Sequence, residues 1–440
     1  MNPIGAAILV VLLGVVLGGS RRAAVLAMFA GILYLTQGQQ IAVAGFNMFA
    51  MRFLELGVFS RVMLRHEFSF SKLNALDKAF IILNLFVVIV YGLRSVEGQV
   101  YQIGIAVDGF LTYFAFRGLI ANSTELRQFC IGSVIVLIPF TLLVLIESIT
   151  HDNPFNVLGG VIYGSWMREG RLRCQGSFRH PSLLGTLGAC MLPFYVGLIL
   201  SRIARPLAAA GIASCIIIVL ASNSGGPLNA AAFGVLGWVM WRVRFKMQLV
   251  RRSLVVFLIV LGFSMKAPIW YILAKMSALT GGDGWHRSYL MDVAFQNLNK
   301  WWFAGMPFSD TWDWFPYGIE ATGAADITNQ FISYGLTAGL GALALFIGML
   351  TVGYKRVGKT MAEIRLRFGK NSANEYMAWS LGVVLTVHIV NWLGITYFDQ
   401  TNILWLLQFA ALSSITSETF LPAAESPKIL APPPYVTGGG

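Results

Sequence analysis

The sequence predicts an all-α membrane protein that crosses the bilayer many times. Of its 440 residues, 56% are hydrophobic and only 12% are charged, and the mean hydropathy is +0.69. A soluble domain carries about 25% charged residues, so a soluble fold of this chain would expose a large apolar surface. Most of the 32 basic residues lie in short loops between long apolar runs. This distribution excludes an ordinary soluble protein, a disordered chain and a nucleic-acid-binding domain, despite a formal net charge of +12.

The apolar runs predict about 13 transmembrane helices, since a membrane helix needs about 20 apolar residues. The runs cover 3–19, 23–37, 41–62, 79–96, 102–120, 129–148, 181–200, 206–221, 225–241, 253–273, 331–353, 376–396 and 402–419. The first has neither a basic segment before it nor a small-residue cleavage site after it, so we expect a retained span and no cleaved signal peptide. No internal repeat is visible, and the inverted repeats of many transporters therefore find no support.

Basic residues predict the orientation of these helices. The two richest loops hold Arg242, Arg244, Lys246, Arg251 and Arg252, and Lys355, Arg356, Lys359, Arg365, Arg367 and Lys370. The positive-inside rule places both loops in the cytoplasm and the N-terminus outside. Two long polar segments, 149–180 and 274–330, then lie on the non-cytoplasmic side. We expect one membrane domain over 1–420 and a disordered, Pro- and Gly-rich cytoplasmic tail over 421–440.

Cysteine usage predicts neither a disulfide framework nor a metal site. Cys130, Cys190 and Cys215 lie in apolar runs, Cys174 lies in a loop, and no pair has the spacing of metal ligands.

A cluster of basic side chains precedes the span that begins at Pro181. The stretch 171–180 reads Arg-Leu-Arg-Cys-Gln-Gly-Ser-Phe-Arg-His. Because guanidinium groups bind phosphate bidentately, we predict that Arg171, Arg173, Arg179 and His180 bind a phosphorylated substrate. Binding of lipid headgroups without catalysis is the alternative.

A Gly-rich turn before a later span is a second candidate. Ser224 precedes Gly225, Gly226 and Pro227, and backbone N–H groups at such a helix start can hold an anion. A plain tight turn between two helices is the alternative.

The segment 274–330 combines tryptophans with polar residues. Trp285, His286 and Arg287 are consecutive, and Asp326 and Asn329 precede the next span. Aromatic rings with polar neighbours suit sugar faces, whereas an interfacial aromatic belt is the alternative for the tryptophans. Apolar residues at helical spacing within 286–302 also predict an amphipathic helix suited to the membrane surface: Leu290, Val293, Leu298 and Trp301.

Charged residues inside predicted spans are costly and therefore informative. Arg52 and Glu55 lie three residues apart, which predicts an ion pair on one helix face. Asp108 and Glu147 are further charges within spans, and His388 is predicted to be a hydrogen-bonded core residue.

Taken in order, these motifs resemble the O-antigen ligase and polysaccharide polymerase superfamily of bacterial inner-membrane proteins, over about 150–350. A G-x-F-x-H-P pattern opens a span at 176–181, a short Gly-rich turn follows at 224–227, and Arg287 and Gly305 lie in the next large loop. Asp326 and Asn329 match a D-x-H-N pattern, and Gly339 follows ten residues after Asn329 in a Gly-rich span.

The resemblance implies a GT-C-like helical fold with two large periplasmic loops in the bacterial inner membrane. It implies metal-independent, inverting transfer of a glycan from a polyprenyl pyrophosphate to an acceptor hydroxyl, with no cofactor. Membrane lipids and other polysaccharide-assembly proteins are the implied partners. Arg173 and Arg287 would hold the pyrophosphate, and a general base would activate the acceptor. Residues implied to bind substrate are Arg171, Arg179, His180, His286, Asn329, Ser224 and Trp285.

Two positions depart from the family pattern. Gly225 replaces the arginine of the Gly-rich turn, and Thr328 replaces the histidine of D-x-H-N. We expect Arg171 and Arg173 to replace the missing arginine and Asp326 to serve as the base, with Glu320, His286 and His180 as other candidates. The alternative for Asp326 is that it caps the following helix.

The leading functional hypothesis is a polymerase of lipid-linked exopolysaccharide or O-antigen repeat units. A glycan ligase is the alternative enzyme, and a flippase of lipid-linked sugars is the alternative of another class. A flippase needs polar residues at several membrane depths, whereas the polar groups here concentrate at one predicted mouth.

Overall fold

The computed structural model of the protein describes residues 1–43, 46–162, 164–168, 170–280, 283–314 and 323–417, and these residues are mostly helical. The first half of the chain contains α1 (Pro3–Gly18), α2 (Arg21–Tyr34), β1 (Gln40–Val43), β2 (Phe46–Phe49), α3 (Ala50–Leu64), α4 (Ala75–Arg94), α5 (Val96–Leu119), α6 (Ser123–Thr150), β3 (Trp166–Arg168), β4 (Arg171–Arg173) and α7 (Pro181–Leu200). The second half contains α8 (Arg205–Ala221), α9 (Gly225–Val239), α10 (Met247–Ser264), α11 (Ile272–Thr280), α12 (Gly284–Gln296), α13 (Leu298–Trp301), α14 (Gln330–Phe368), α15 (Ala373–Trp392) and α16 (Asp399–Ile415).

The helices confirm an all-α membrane protein. Five helical stretches are long and apolar enough to cross a bilayer: Ala75–Arg94, Ser123–Thr150, Pro181–Leu200, Gly225–Ser264 and Gln330–Phe368. Pro3–Gly18 and Arg205–Ala221 are shorter apolar helices. The predicted run 41–62 differs from expectation, because its first part forms the antiparallel hairpin of β1 and β2 and only its second part forms α3. The tail predicted over 421–440 lies outside the described residues.

The helix ends form two polar layers, which we call the loop end and the basic end. The loop end carries the long connections 151–180 and 265–329, whereas the basic end carries the short connections around 240–246 and 369–372. Buried ion pairs join helices at the basic end. Asp77 on α4 accepts from the Arg117 Nε on α5 at 2.8 Å, and Glu375 on α15 pairs with Arg244 and Arg365. Buried charges need such partners, because an unpaired buried ion is costly.

Helix α14 is broken near its start. Ala338 and Gly339 leave the helical conformation, and Gly339 has a φ of +75°. The chain at 302–306 fills the break: the Met306 N–H donates to the Leu336 carbonyl and the Leu340 N–H donates to the Trp302 carbonyl, both at 2.8 Å. These two bonds give partners to the Leu336 carbonyl and the Leu340 N–H, which matters because an unpaired backbone group is costly in a membrane environment.

The loop end has its own small hydrophobic core, separate from the main core of the helical bundle. Its members come from α12, α13, the following loop and the first part of α14: Leu290, Val293, Ala294, Trp301, Met306, Trp314, Ala325, Ile327, Ile332 and Leu336. The amphipathic helix predicted over 286–302 is therefore two helices, α12 and α13. Leu290, Val293 and Trp301 are buried inside the protein, so the prediction of a helix lying in the membrane surface is wrong.

Two predictions about charged or polar residues inside spans have different outcomes. Arg52 forms its ion pair with Asp108 on α5, at 2.6 Å between Nη2 and Oδ2, and not with Glu55 as predicted. The interhelical pair holds α3 against α5. His388 is fully buried and hydrogen-bonded to the Tyr397 hydroxyl at 2.9 Å and to the Gln408 side-chain oxygen at 2.6 Å, which confirms its prediction as a core residue.

Gly339→Ala should destabilise the protein, because the break in α14 requires a glycine. A Cβ there would lie 2.2 Å from the Phe303 carbonyl oxygen. The backbone of Gly339, with φ +75° and ψ −174°, is also one that essentially only glycine adopts, and it costs another residue about 1–3 kcal/mol. Gly348→Ala is the matched control on the same helix, since a Cβ there meets nothing within 4 Å. Thermal unfolding of the detergent-purified variants should show a lower midpoint for Gly339→Ala alone. Equal midpoints would contradict the role given to Gly339.

Candidate functional site

One cavity of about 780 Å³ at the loop end brings together the three polar segments singled out in the sequence. Its wall includes residues from the loop before α7, from the start of α9, from the start of α12 and from the loop before α14. The predicted site residues that line it are Arg171, Arg173, His180, Ser224, His286, Arg287 and Asp326. Residues far apart in the sequence therefore share one chamber.

The hairpin of β3 and β4 contributes three arginines to the cavity wall. Arg171 and Arg173 are two residues apart in β4 and therefore share a face, while Arg168 on β3 pairs opposite Arg171. All three line the cavity. Arg168 also lies 3.9 Å from the Asp283 carboxylate across the cavity rim.

Glu147 at the end of α6 fixes the loop between β4 and α7. Its fully buried carboxylate accepts hydrogen bonds from the Gln175 N–H at 2.9 Å, the Gly176 N–H at 2.8 Å and the Ser165 hydroxyl at 3.1 Å. Gly176 has a φ of +56°, where a side chain would be strained. The loop that carries Arg173 and His180 is thus tied to the bundle by a buried acid.

Arg173 is a positive charge that forms no ion pair with a carboxylate of the described residues. It is 8% exposed, its Nη2 donates to the Ser224 hydroxyl at 2.8 Å, and its Nε has no partner among the described residues. Burial, together with Arg168 and Arg287, lowers the pKa of Arg173 to about 10. The guanidinium still remains protonated near neutral pH, so the deep wall of the cavity favours an anion.

His180 is a hydrogen-bond donor in this cavity and a poor base. Its Nδ1 accepts the Ser182 N–H at 3.1 Å, which caps α7 and leaves the ring proton of the neutral form on Nε2. Burial, followed by the charges of Arg173, Arg168 and Arg287, lowers the pKa of His180 to about 4. His180 is therefore neutral at physiological pH.

The start of α9 supports anion binding. Ser224 stands at the N-cap position, but its hydroxyl donates to the Ser222 carbonyl at 2.9 Å and no side chain caps the helix. Gly225 lines the cavity, so the N-terminus of α9, the positive end of its helix dipole, lies at the cavity wall.

Arg287 lines the cavity between the start of α9 and the α15–α16 connection. A Cβ on Gly394 would lie 2.9 Å from the Arg287 guanidinium carbon, and one on Gly226 would lie 3.6 Å from its Nη2. The guanidinium therefore rests on bare backbone of the α15–α16 connection. Burial, and then Arg168, lowers the pKa of Arg287, while Asp283 and Asp326 act in the opposite direction.

Asp326 lines the cavity from the loop before α14 and does not cap that helix. The cap is Asn329, whose side-chain oxygen accepts from the Phe331 N–H at 3.0 Å and the Ile332 N–H at 3.1 Å. The capping alternative for Asp326 is therefore wrong. Asp326 is exposed to the cavity. Partial desolvation by the protein around it raises its pKa, although His286 and Arg287 partly oppose this shift. A carboxylate with a raised pKa is a stronger proton acceptor.

Three predicted substrate-binding residues lie outside the cavity wall. Arg179 pairs with Asp399, with Nη2 at 2.8 Å from Oδ1. Asn329 is 1% exposed and serves as the helix cap. Trp285 stacks on Tyr289 with ring centroids 4.9 Å apart on the outside of α12. Each of these three side chains has a local partner in the structure.

Several cavity residues were missed by sequence reasoning. Arg168 belongs to the same basic loop as Arg171 and was recognisable from it. Asp283 caps α12 through the His286 N–H at 2.9 Å. The stretch Gly394, Ile395, Thr396 and Phe398 also lines the cavity, but it lies at the end of an apolar run and carries no sequence signal.

Thr328, at the position of the family histidine, also lines the cavity. Its N–H donates to the Asp326 carbonyl at 3.0 Å, and its buried hydroxyl has no partner among the described residues. Glu320, a further candidate base, lies outside the described residues.

The donor set of the cavity favours an oxyanion beside a proton acceptor. Four arginines face two aspartates there: Arg168, Arg171, Arg173 and Arg287 face Asp283 and Asp326. Across the described part of the chain, no group of three His, Cys, Asp or Glu side chains is placed to hold a metal ion. The chain matches no protein-family model and no curated protein sequence.

Proposed function

We propose that this protein is a membrane glycosyltransferase that polymerises repeat units carried on a polyprenyl pyrophosphate. The observation that supports this most is the meeting of Arg173, Arg287 and Asp326 in one cavity at the loop end. Transfer of a glycan from such a donor needs an anion site for the leaving pyrophosphate and a base for the acceptor hydroxyl. The cavity offers groups suited to both needs.

In the proposed reaction, an acceptor hydroxyl attacks the anomeric carbon while the bond to the pyrophosphate oxygen breaks. Asp326 takes the hydroxyl proton, and the electron pair of the broken bond leaves with the pyrophosphate. Arg173, Arg287 and the first amides of α9 stabilise the negative charge that grows on the leaving group. Attack from the face opposite the leaving group inverts the anomeric carbon.

Each of the two residues that depart from the family pattern, Gly225 and Thr328, lies near a charged residue in the structure. Arg173 reaches Ser224, the residue just before the Gly225 that replaces the family arginine. Asp326 lies on the same tight turn as Thr328, which replaces the family histidine. These contacts support the proposal that Arg173 and Asp326 supply the missing charge and base within an O-antigen ligase-like protein. A ligase remains the alternative within the same chemistry.

We further propose that the protein has about 13 transmembrane helices in a GT-C-like arrangement, with the loop end facing the bacterial periplasm. Positive charge supports this orientation. The loops at the basic end carry Arg242, Lys246, Arg367 and Lys370, as cytoplasmic loops do. A periplasmic cavity would meet lipid-linked repeat units after their transfer across the inner membrane.

Reconstitution of the purified protein with a polyprenyl-pyrophosphate oligosaccharide tests the function. Polymerisation should yield products of several repeat lengths together with free polyprenyl pyrophosphate. Transfer of a single unit to a lipid acceptor would support the ligase. Movement of intact donor across the bilayer without release of pyrophosphate lipid would refute the enzyme and support the flippase.

Arg173→Ala and Arg287→Ala should lower the rate of glycan transfer by about 10²–10³, since each removes a donor to the developing charge. Lysine at either position should restore little, because it is a point charge and not a planar fork. Arg179→Ala is the matched control, as this arginine pairs with Asp399 outside the cavity. A comparable loss in Arg179→Ala, or normal chain length in Arg287→Ala, would contradict the pyrophosphate site.

Asp326→Asn should be folded and lose about 10²–10⁴ in rate, as expected for a lost general base, whereas Thr328→Ala should stay active. The wild-type rate should fall as pH falls through the raised pKa of Asp326, because only the ionised carboxylate accepts a proton. Initial rates measured across pH for the three proteins decide this. Full activity in Asp326→Asn would contradict its role as base and would make His286 the next candidate, because the low pKa of His180 makes His180 a poor base.

A further inference from the structure

The position of Asp326 in the cavity is set by the backbone on either side of it. The carboxylate is exposed to the cavity and forms no hydrogen bond or ion pair with the described residues. Its two neighbours in the chain, Ala325 and Ile327, are buried and belong to the small core at the loop end. The place of the carboxylate therefore depends on how firmly the backbone at 325–327 is held.

Two threonine hydroxyls from different parts of the chain hold this backbone. The Thr311 Oγ1, in the loop after α13, accepts the Ala325 N–H at 3.0 Å. The Thr396 Oγ1, in the α15–α16 connection, donates to the Ile327 carbonyl. The residues immediately before and after Asp326 are thus each fixed by a hydroxyl.

The connection that carries Thr396 is itself fixed to the main core of the bundle. Tyr397, the next residue, is buried, and its hydroxyl contacts the His388 Nδ1 at 2.9 Å and the Asn391 Nδ2 at 3.1 Å. The Tyr397 N–H donates to the Gln330 side-chain oxygen at 2.9 Å, at the start of α14. The Thr396 hydroxyl therefore belongs to a well-anchored segment.

The same connection supports Arg287. A Cβ on Gly394, two residues before Thr396, would lie 2.9 Å from the Arg287 guanidinium carbon. Arg287 and the Asp326 backbone are therefore both held against one segment, which fixes their relative position. In the proposed reaction, these two groups act on the leaving group and on the acceptor. A misplacement of about 1 Å between such groups can cost about a hundredfold in rate.

We propose that Thr311 and Thr396 are positioning residues for glycan transfer, whose hydroxyls hold the Asp326 carboxylate in place relative to the arginines. The inference rests on the proposed function, in which Asp326 is the base. The two hydroxyls act through Asp326 and not on the substrate, because each is engaged by the 325–327 backbone.

Steady-state kinetics of the full-length protein in lipid nanodiscs, with a polyprenyl-pyrophosphate oligosaccharide as donor, test this role. Thr396→Val removes the hydroxyl with little change in volume. It should lower kcat about tenfold to a hundredfold and leave KM for the donor unchanged, since Arg173 and Arg287 remain. Thr396→Ser keeps the hydroxyl and should restore most of the rate. Thr351→Val is the matched control, because the Thr351 hydroxyl donates within α14, to the Ile347 carbonyl at 2.9 Å.

A double-mutant cycle separates positioning of the base from a general structural role. In the Asp326→Asn background, Thr396→Val should have little further effect, because no base remains to be positioned. Thr311→Val acts from the other side of Asp326 and should show the same loss of kcat and the same dependence on Asp326. It serves as the second variant if Thr396→Val does not fold.

Three results would overturn the positioning role and leave the proposed function standing. They are activity of a folded Thr396→Val equal to that of Thr351→Val, a rise in donor KM alone, and the same fold loss with and without the Asp326 carboxylate. Full activity in Asp326→Asn would also overturn it, since no base would then lie at this position. Wild type that releases no polyprenyl pyrophosphate would instead refute the proposed function, and the positioning role with it.

Discussion

The buried carboxylate of Glu147 is the contact on which the rest of the site depends. It accepts the Gln175 and Gly176 N–H groups, and it thereby fixes the loop between β4 and α7 against the end of α6. Without it, two backbone donors would be buried without partners, at a cost of about 1–3 kcal/mol each. Arg173 and His180 stand on either side of this anchor. A charge inside a span, which is costly by itself, thus sets the position of the cationic wall.

The cavity lies between two separately packed bodies, and this explains how distant residues meet. The main core carries the wall with Arg173, His180 and Ser224, whereas the small core holds Arg287 and Asp326 through neighbours such as Leu290 and Ile327. The break in α14 joins the two bodies, because the Leu336 carbonyl accepts hydrogen bonds from the Met306 N–H and from Nη1 of Arg94 on α4. Gly339 in the Gly-rich span therefore has a structural role: it leaves room for the backbone of the 302–306 segment.

Sequence reasoning recovered the helical membrane character and seven of the cavity residues, because both follow from local signals. Long apolar runs reveal helices, and arginines or aspartates next to span mouths reveal polar sites. Sequence reasoning did not identify features that depend on tertiary contacts. Arg179 and Arg173 are equivalent in the sequence, but only the structure shows that Asp399 neutralises the former. Gly394 carries no sequence signal, since its role is to leave room for the Arg287 side chain.

Two opposing effects act on the pKa of Asp326: desolvation raises it, whereas the nearby positive charge lowers it. A carboxylate surrounded by arginines would normally be held as a weak base, because nearby positive charge lowers its pKa. Here desolvation by the cavity walls is the larger effect and the pKa rises. Arg287 nevertheless lies close enough to oppose that shift. The cavity therefore combines excess positive charge, which suits a phosphorylated ligand, with a carboxylate that retains its affinity for a proton. On the proposed function, that combination lets one chamber hold the leaving group and activate the acceptor.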